Sequence, residues 1–105
     1  METTSPSTVR VLDGSAPAVV VIEGTFDAEA AADFEAAMTA LRRAPRDLVI
    51  DLNGADRLEV EGLLLLADHA SWLRRRSCVV TLRGSARETE QLARLLGYAR
   101  VLGLD

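Results

Sequence analysis

The spacing of hydrophobic and polar residues changes along the chain, and these changes predict an order of strands and helices. Two β-branched runs, Thr8–Asp13 and Ala18–Gly24, flank the turn sequence GSAP and predict a β-hairpin. Apolar residues then recur at spacings of three and four from Phe34 to Leu41, which predicts a first helix. Asp27 is placed to cap its N-terminus, and Pro45 ends it.

The rest of the chain alternates strands with helices. The run Asp47–Leu52 shows little alternation, which predicts a strand covered on both faces. A second helix is predicted from Leu63 to Arg76, followed by a strand CVVTL that opens at Cys78.

A third helix is predicted near the C-terminus. Ser85 and Glu88 match the capping-box pattern S-x-x-E at its start, and Gly97 is placed for a C-terminal cap. The segment ARVL after it is predicted as a last edge strand.

This order predicts a single α/β domain. We expect a largely parallel sheet of four to five strands, with an N-terminal hairpin and about three to four helices. Residues 1–7 are predicted to be a flexible polar leader, and residues 8–105 the domain.

The charge and composition of the chain argue against some classes of binding partner. The net charge is −4, and all 12 basic residues are arginines, which argues against nucleic acid and anionic membranes as partners. No apolar run approaches the roughly 20 residues that span a bilayer, so direct membrane insertion is not expected. Cys78 is the only cysteine, which excludes an intramolecular disulfide and favours a reducing cytoplasm.

The segment DRLEVEG, which follows the predicted strand Asp47–Leu52, is the leading site candidate. It lies at the carboxyl end of a strand, where ligands and partners of parallel sheets tend to bind. Glu59 and Glu61 are predicted either to stabilise a helix start or to bind a partner. No His or Cys lies near them, and the chain has no glycine-rich phosphate loop. We therefore expect no cofactor, no metal and no catalysis.

Three motifs in the right order resemble the STAS domain family, which includes bacterial anti-sigma factor antagonists. EGTFD keeps Gly24 and Asp27 of the family's G-E-[LI]-D motif. LVIDLNGADRLEVEGLLLL is similar to its strand–loop–helix unit, and ARLLGYARVL to its closing motif. The resemblance runs from about Val19 to the C-terminus.

The family resemblance implies control by phosphorylation, but this sequence differs from the family at the residue that is phosphorylated. The family's D-S-[ST]-G core stands here as Glu59, Val60, Glu61 and Gly62. In the antagonists, the serine accepts a phosphoryl group from a kinase that is also the anti-sigma factor. Val60 has no hydroxyl, so it imitates the unmodified state, whereas Glu61 adds a permanent charge that resembles phosphate. Which state the pair imitates stays open.

The second helix is predicted to have a core face and a contact face. The core face consists of residues at helical spacing: Leu63, Leu66, Ala67, Ala70 and Leu73. Leu65 and Trp72 fall off this stripe, with Asp68 and His69 between them, which predicts an exposed contact patch. The alternative is that a neighbouring helix or a second copy covers them. His69 is expected at the surface.

The resemblance implies a non-catalytic interaction module of a bacterial partner-switching system that regulates transcription. Its expected partner is an anti-sigma factor or serine-kinase-like protein. One alternative is a small STAS subunit bound to the ATPase of an ABC-type lipid transporter. Another is a sensor of a small molecule or nucleotide. A homodimer also stays open.

Overall fold

The computed structural model describes residues 8–12, 17–26 and 28–104. Its elements follow in this order: β1 (Thr8–Leu12), β2 (Ala18–Phe26), α1 (Ala28–Arg43), β3 (Leu48–Asp51), β4 (Ala55–Leu58), α2 (Val60–Arg74), β5 (Val80–Arg83) and α3 (Arg87–Leu95). Residues 1–7 and Asp27, the expected leader and helix cap, lie outside the described residues. The α/β fold class is confirmed.

The described strands form a mixed, largely parallel sheet. β1 and β2 pair antiparallel, as the predicted hairpin requires. β2 pairs parallel with β3, and β3 pairs parallel with β5, so the order is β1-β2-β3-β5. β4 pairs parallel with the last residues of β2.

Strand β4 was not predicted from the sequence. β2 is nine residues long and β3 only four, so the end of β2 extends beyond its first partner. After β3 the chain turns at Leu52, whose carbonyl accepts the amide of Ala55 at 3.0 Å, and it then continues along β2. Gly24 has a φ of +78° where the register shifts, a conformation that favours glycine.

The core lies on one face of the sheet. In β3 and β5, buried residues alternate with half-buried or exposed ones: Ile50 and Val80 are fully buried, while Val49 is half-buried and Thr81 exposed. The expectation that both faces of the β3 strand are covered is therefore wrong. The buried face packs against helix residues that include Phe34 of α1 and Leu66 of α2.

Two details of the C-terminal region differ from the prediction. Ala86, not Ser85, is the N-cap of α3, and the Ser85 hydroxyl donates to Glu90 at 2.8 Å instead of capping the helix. The segment ARVL forms turns instead of a strand. The C-terminal cap is confirmed, because Gly97 has a φ of +82° and the amide of Tyr98 bonds back into the helix.

Candidate functional site

The predicted site begins where β4 leads into α2. Glu59 is the only residue between them, and its φ of −87° and ψ of 171° keep it outside the helix. The helix begins at Val60, three residues before the predicted start at Leu63, and the Glu59 carbonyl accepts the Leu63 amide at 2.9 Å. Glu61 lies in the first turn, where a carboxylate favours the positive end of the helix dipole.

Gly62 allows α2 to approach the end of β2 closely. A Cβ atom at this position would lie 2.5 Å from Cδ2 of Phe26 and 3.1 Å from Cδ1 of Leu58. The first distance is too short for two carbon atoms, and the second would require Leu58 to shift slightly. The close packing of α2 on the end of β2 therefore favours glycine at position 62.

A cleft of about 300 Å³, called the loop cleft below, opens beside this helix start. It is lined by Phe26, Ala28, Ala31, Glu59, Glu61 and Gly62. Glu59 and Glu61 are exposed, and Phe26 is buried. The arrangement combines two carboxylates with an apolar floor, so it favours a group that is positively charged at one end and apolar along its length.

The exposed side of α2 continues from the loop. Val60, Leu64 and Asp68 are all exposed and follow one another at intervals of four residues; we call them the α2 ridge. Val60 and Leu64 are 42% and 40% exposed, so each presents apolar surface to solvent. Leu64 was not predicted to belong to this surface, although it lies four residues after Val60 in the sequence.

A groove runs along this ridge toward the C-terminal segment. It measures about 380 Å³ and is lined by Leu64, Ala67, Asp68, Ser71, Arg75 and Tyr98. The loop cleft, the α2 ridge and this groove together form the candidate interaction surface. Of the residues predicted for this surface, it includes Glu59, Val60, Glu61, Gly62 and Asp68.

His69 is not on that surface, so its predicted exposure is wrong. It is 3% exposed and lies between α2 and α1. Nδ1 lies 3.1 Å from an Nη atom of Arg42, and Nε2 lies 2.9 Å from Oε1 of Glu35. Because arginine can only donate, Nδ1 accepts, and Nε2 donates to the carboxylate. The ring also packs edge-on against Phe34.

Leu65 and Trp72 flank His69 on the same side of α2. Both are half-buried and pack against the core, which corrects the predicted outward patch. The Trp72 ring contacts two guanidinium groups, that of Arg76 at 3.5 Å and that of Arg42 at 4.8 Å from its centroid. Helix α1 therefore covers this flank of α2, and the alternative prediction of a neighbouring helix that covers Leu65 and Trp72 is the correct one.

No group of three or more His, Cys, Asp or Glu side chains that could hold a metal ion occurs among the described residues. Within the same part of the chain, no helix is long and apolar enough to cross a membrane.

Comparisons with known proteins agree with the fold. The family model described as "Mlab, STAS domain" matches residues 9–104. The crystal structure of an anti-sigma factor antagonist from Mycobacterium paratuberculosis is similar, with a TM-score of 0.73 and 29% identity over 93% of this chain and 86% of that one. The crystal structure of Mglu shares the fold, with a TM-score of 0.65 and 23% identity over 74% of this chain, which spans only 20% of Mglu. No match was found among curated protein sequences.

Proposed function

This chain belongs to the STAS domain family, and we propose that it is a non-catalytic module that docks a protein partner through the loop cleft and the α2 ridge. The observation that supports this most directly is the exposure of Val60 and Leu64 beside the carboxylates of Glu59, Glu61 and Asp68. Apolar side chains ringed by charges are typical of interfaces.

The charges of this surface indicate the chemistry of the partner. Glu59, Glu61 and Asp68 present three carboxylates along one side of α2 and its leading loop. A complementary surface carries arginine or lysine around an apolar centre, because matched charges speed association and exclude wrong partners. An anti-sigma factor of the serine-kinase type is the leading candidate, since the antagonist from Mycobacterium paratuberculosis shares the fold along most of both chains.

The same proposal includes the loss of the serine switch. Val60 is the first residue of α2 and is exposed at the position where the family's antagonists carry the acceptor serine. No Ser, Thr or Tyr occurs from Asp56 to Leu66. The complex would then be controlled by the amount of each protein instead of by phosphorylation in this loop.

A second candidate is a small STAS subunit bound to the ATPase of a transport complex in the bacterial cytoplasm. The valine at position 60 favours it, because a constitutive subunit needs no phosphoacceptor in its docking loop. The same surface would serve both functions, so the partner's identity distinguishes them. A sigma-factor regulator encoded beside this protein supports the first, and transporter subunits support the second.

The test is comparative capture of partners from the cytosol of the source bacterium. Wild-type protein, Leu64→Arg and Val79→Arg are immobilised, and retained proteins are identified by mass spectrometry. Val79 is the matched control, because it is 55% exposed and lies outside the proposed surface, just before β5. A partner retained by the wild type and by Val79→Arg but lost with Leu64→Arg supports the proposal. Equal retention by all three places the docking surface elsewhere.

A further inference from the structure

The two long helices place opposite charges at opposite ends of the domain. α1 and α2 each connect one strand to a parallel one, so both run against the strands and their N-termini lie at the same end. Glu29 lies in the first turn of α1, and Glu61 in that of α2. Arg42 and Arg43 end α1, and Arg76 lies just beyond α2. The helices have 16 and 15 residues, so they separate an acidic pole from a basic pole by about 22–24 Å.

The basic pole consists of Arg42, Arg43 and Arg76, grouped around Trp72. The guanidinium carbon of Arg76 lies 3.5 Å from the centroid of the Trp72 ring, and that of Arg42 lies 4.8 Å from it. All three arginines are exposed. None of them forms an ion pair with a carboxylate among the side chains that the structure describes. Because like charges held close together repel, carboxylates of another molecule would stabilise this end of the domain.

The acidic pole contains the loop cleft, which suits an arginine side chain. The cleft has Phe26 at its floor and the exposed carboxylates of Glu59 and Glu61 at its rim. Arginine combines an apolar stem with a charged head, and all 12 basic residues of this chain are arginines. The side chain of Arg43 makes no hydrogen bond or ion pair within the described part of the chain. It is therefore available to a cleft on another molecule.

We propose that this protein associates with itself head to tail, with the basic pole of one copy bound at the acidic pole of the next. The Arg43 side chain enters the loop cleft of the neighbouring copy and pairs with Glu61. The negative C-terminal ends of α1 and α2 then face the positive N-terminal ends in the next copy, which adds to the attraction. The two contact surfaces lie at opposite poles, so the contact is heterologous and builds open chains instead of a two-fold dimer.

Self-association of this kind needs no other protein, because both surfaces belong to the same chain. It occupies the loop cleft, so a partner that docks there would compete with the neighbouring copy. The paired charges are exposed, and exposed ion pairs are weak and are screened by salt. The association should therefore be visible at high protein concentration and low ionic strength.

The experiment is static light scattering of the purified full chain over a range of protein concentrations. The average mass should rise beyond that of a dimer at about 0.01 M salt, where the Debye length is about 30 Å. It should return to that of the monomer at about 1 M salt, where the Debye length is about 3 Å. A mass that stays at the monomer at low salt, or that stops at the dimer, overturns the head-to-tail contact. Capture of a partner is measured separately, so this result does not decide the proposed function.

Charge-swap variants connect the association to the two poles. Arg43→Glu and Glu61→Arg should each raise the dissociation constant about tenfold or more, because an attractive pair becomes repulsive. The double variant with both changes should regain association through the reversed pair. Its recovery would also exclude unfolding as the reason for the losses in the single variants.

Two controls carry the same changes of charge outside the contact. Arg87→Glu and Glu88→Arg alter exposed residues in the first turn of α3, which do not line the loop cleft. Both should associate as the wild type does. The proposal is overturned if Arg87→Glu weakens association as much as Arg43→Glu, because net charge would then be the cause. It is also overturned if the double variant is folded by thermal melting and stays monomeric.

Discussion

Nε2 of His69 on α2 lies 2.9 Å from a carboxylate oxygen of Glu35 on α1. The opposite ring nitrogen is bonded to Arg42 on the same helix, so both polar atoms of a buried ring are satisfied by α1. Such a pair of bonds fixes the rotation of the two helices about their axes. Because α1 occupies this flank of α2, the side of the helix that carries Val60 and Leu64 is the one exposed to solvent.

Replacing His69 with alanine should lower the free energy of unfolding by about 2–4 kcal/mol. The change removes a packed ring and two part-buried hydrogen bonds. Urea denaturation measures the loss, and Asp68→Ala is the control because its side chain is exposed one residue away. The control should change stability by less than about 0.5 kcal/mol. Equal losses in the two variants would mean that the interhelical bonds contribute nothing.

The arrangement of α2 shows what helical periodicity can and cannot predict. The core stripe that includes Leu63 and Leu66 was predicted correctly, because burial against a sheet follows the 3.6-residue period. The period alone does not predict which flank of α2 is covered by another helix. His69 and Trp72 do not lie on the core stripe and were therefore predicted to be exposed, yet both find partners on α1 that are distant in sequence.

Three consecutive leucines of α2 allow a graded test of this arrangement. Leu66→Ala should cost about 2–5 kcal/mol of stability, since Leu66 is fully buried. Leu65→Ala should cost less, because Leu65 is half-buried against the core, and Leu64→Ala should change stability by less than about 0.5 kcal/mol. Chemical denaturation of the three variants gives the order. A loss at Leu64 as large as that at Leu66 would contradict the assignment of the exposed ridge.

Gly62→Ala should destabilise the protein by about 1–3 kcal/mol. Alanine is the better helix former by about 1 kcal/mol, but the added methyl group would collide with the ring of Phe26. Thermal melting measures the net effect. The double variant Phe26→Leu, Gly62→Ala should lose less than the sum of the two single variants, because the smaller side chain relieves the collision. Strict additivity would show that the contact is not the cause.

The C-terminal segment illustrates a contact that no local pattern could predict. The segment ARVL has the β-branched and apolar residues of a strand, but Arg74 of α2 holds it beside β5 in another conformation. Nε of Arg74 donates to the Val101 carbonyl at 2.6 Å, and an Nη atom donates to the Val80 carbonyl at 2.5 Å. Gly103, with a φ of +75°, allows the backbone to pass close to that carbonyl of β5.

Arg74→Ala should therefore lower the free energy of unfolding by about 2–3 kcal/mol, since two carbonyls lose a charged donor. Arg75→Ala is the matched control, because Arg75 is exposed at the C-cap of the same helix. Urea denaturation gives the stability change, and hydrogen exchange at Val101–Leu104 reports whether the segment is released. Unchanged exchange in Arg74→Ala would show that the arginine does not hold the segment.

The last prediction concerns the proposed loss of the serine switch. Val60 is exposed at the first position of α2, so a hydroxyl placed there would be accessible to a kinase and close to the positive end of the helix dipole, which favours phosphate. If the captured partner is a serine kinase, Val60→Ser should be phosphorylated by it and should release it, because a charge of about −1.5 to −2 would be added beside Glu59 and Glu61. Val79→Ser, at a position that is more exposed than Val60 but lies outside the surface, should remain unmodified. Wild-type protein should stay bound and carry no phosphate between Asp56 and Leu66.

If the kinase instead modifies the wild type at Ser71 or Thr25 and the complex then dissociates, the switch has moved to another residue and the proposed constitutive binding is wrong.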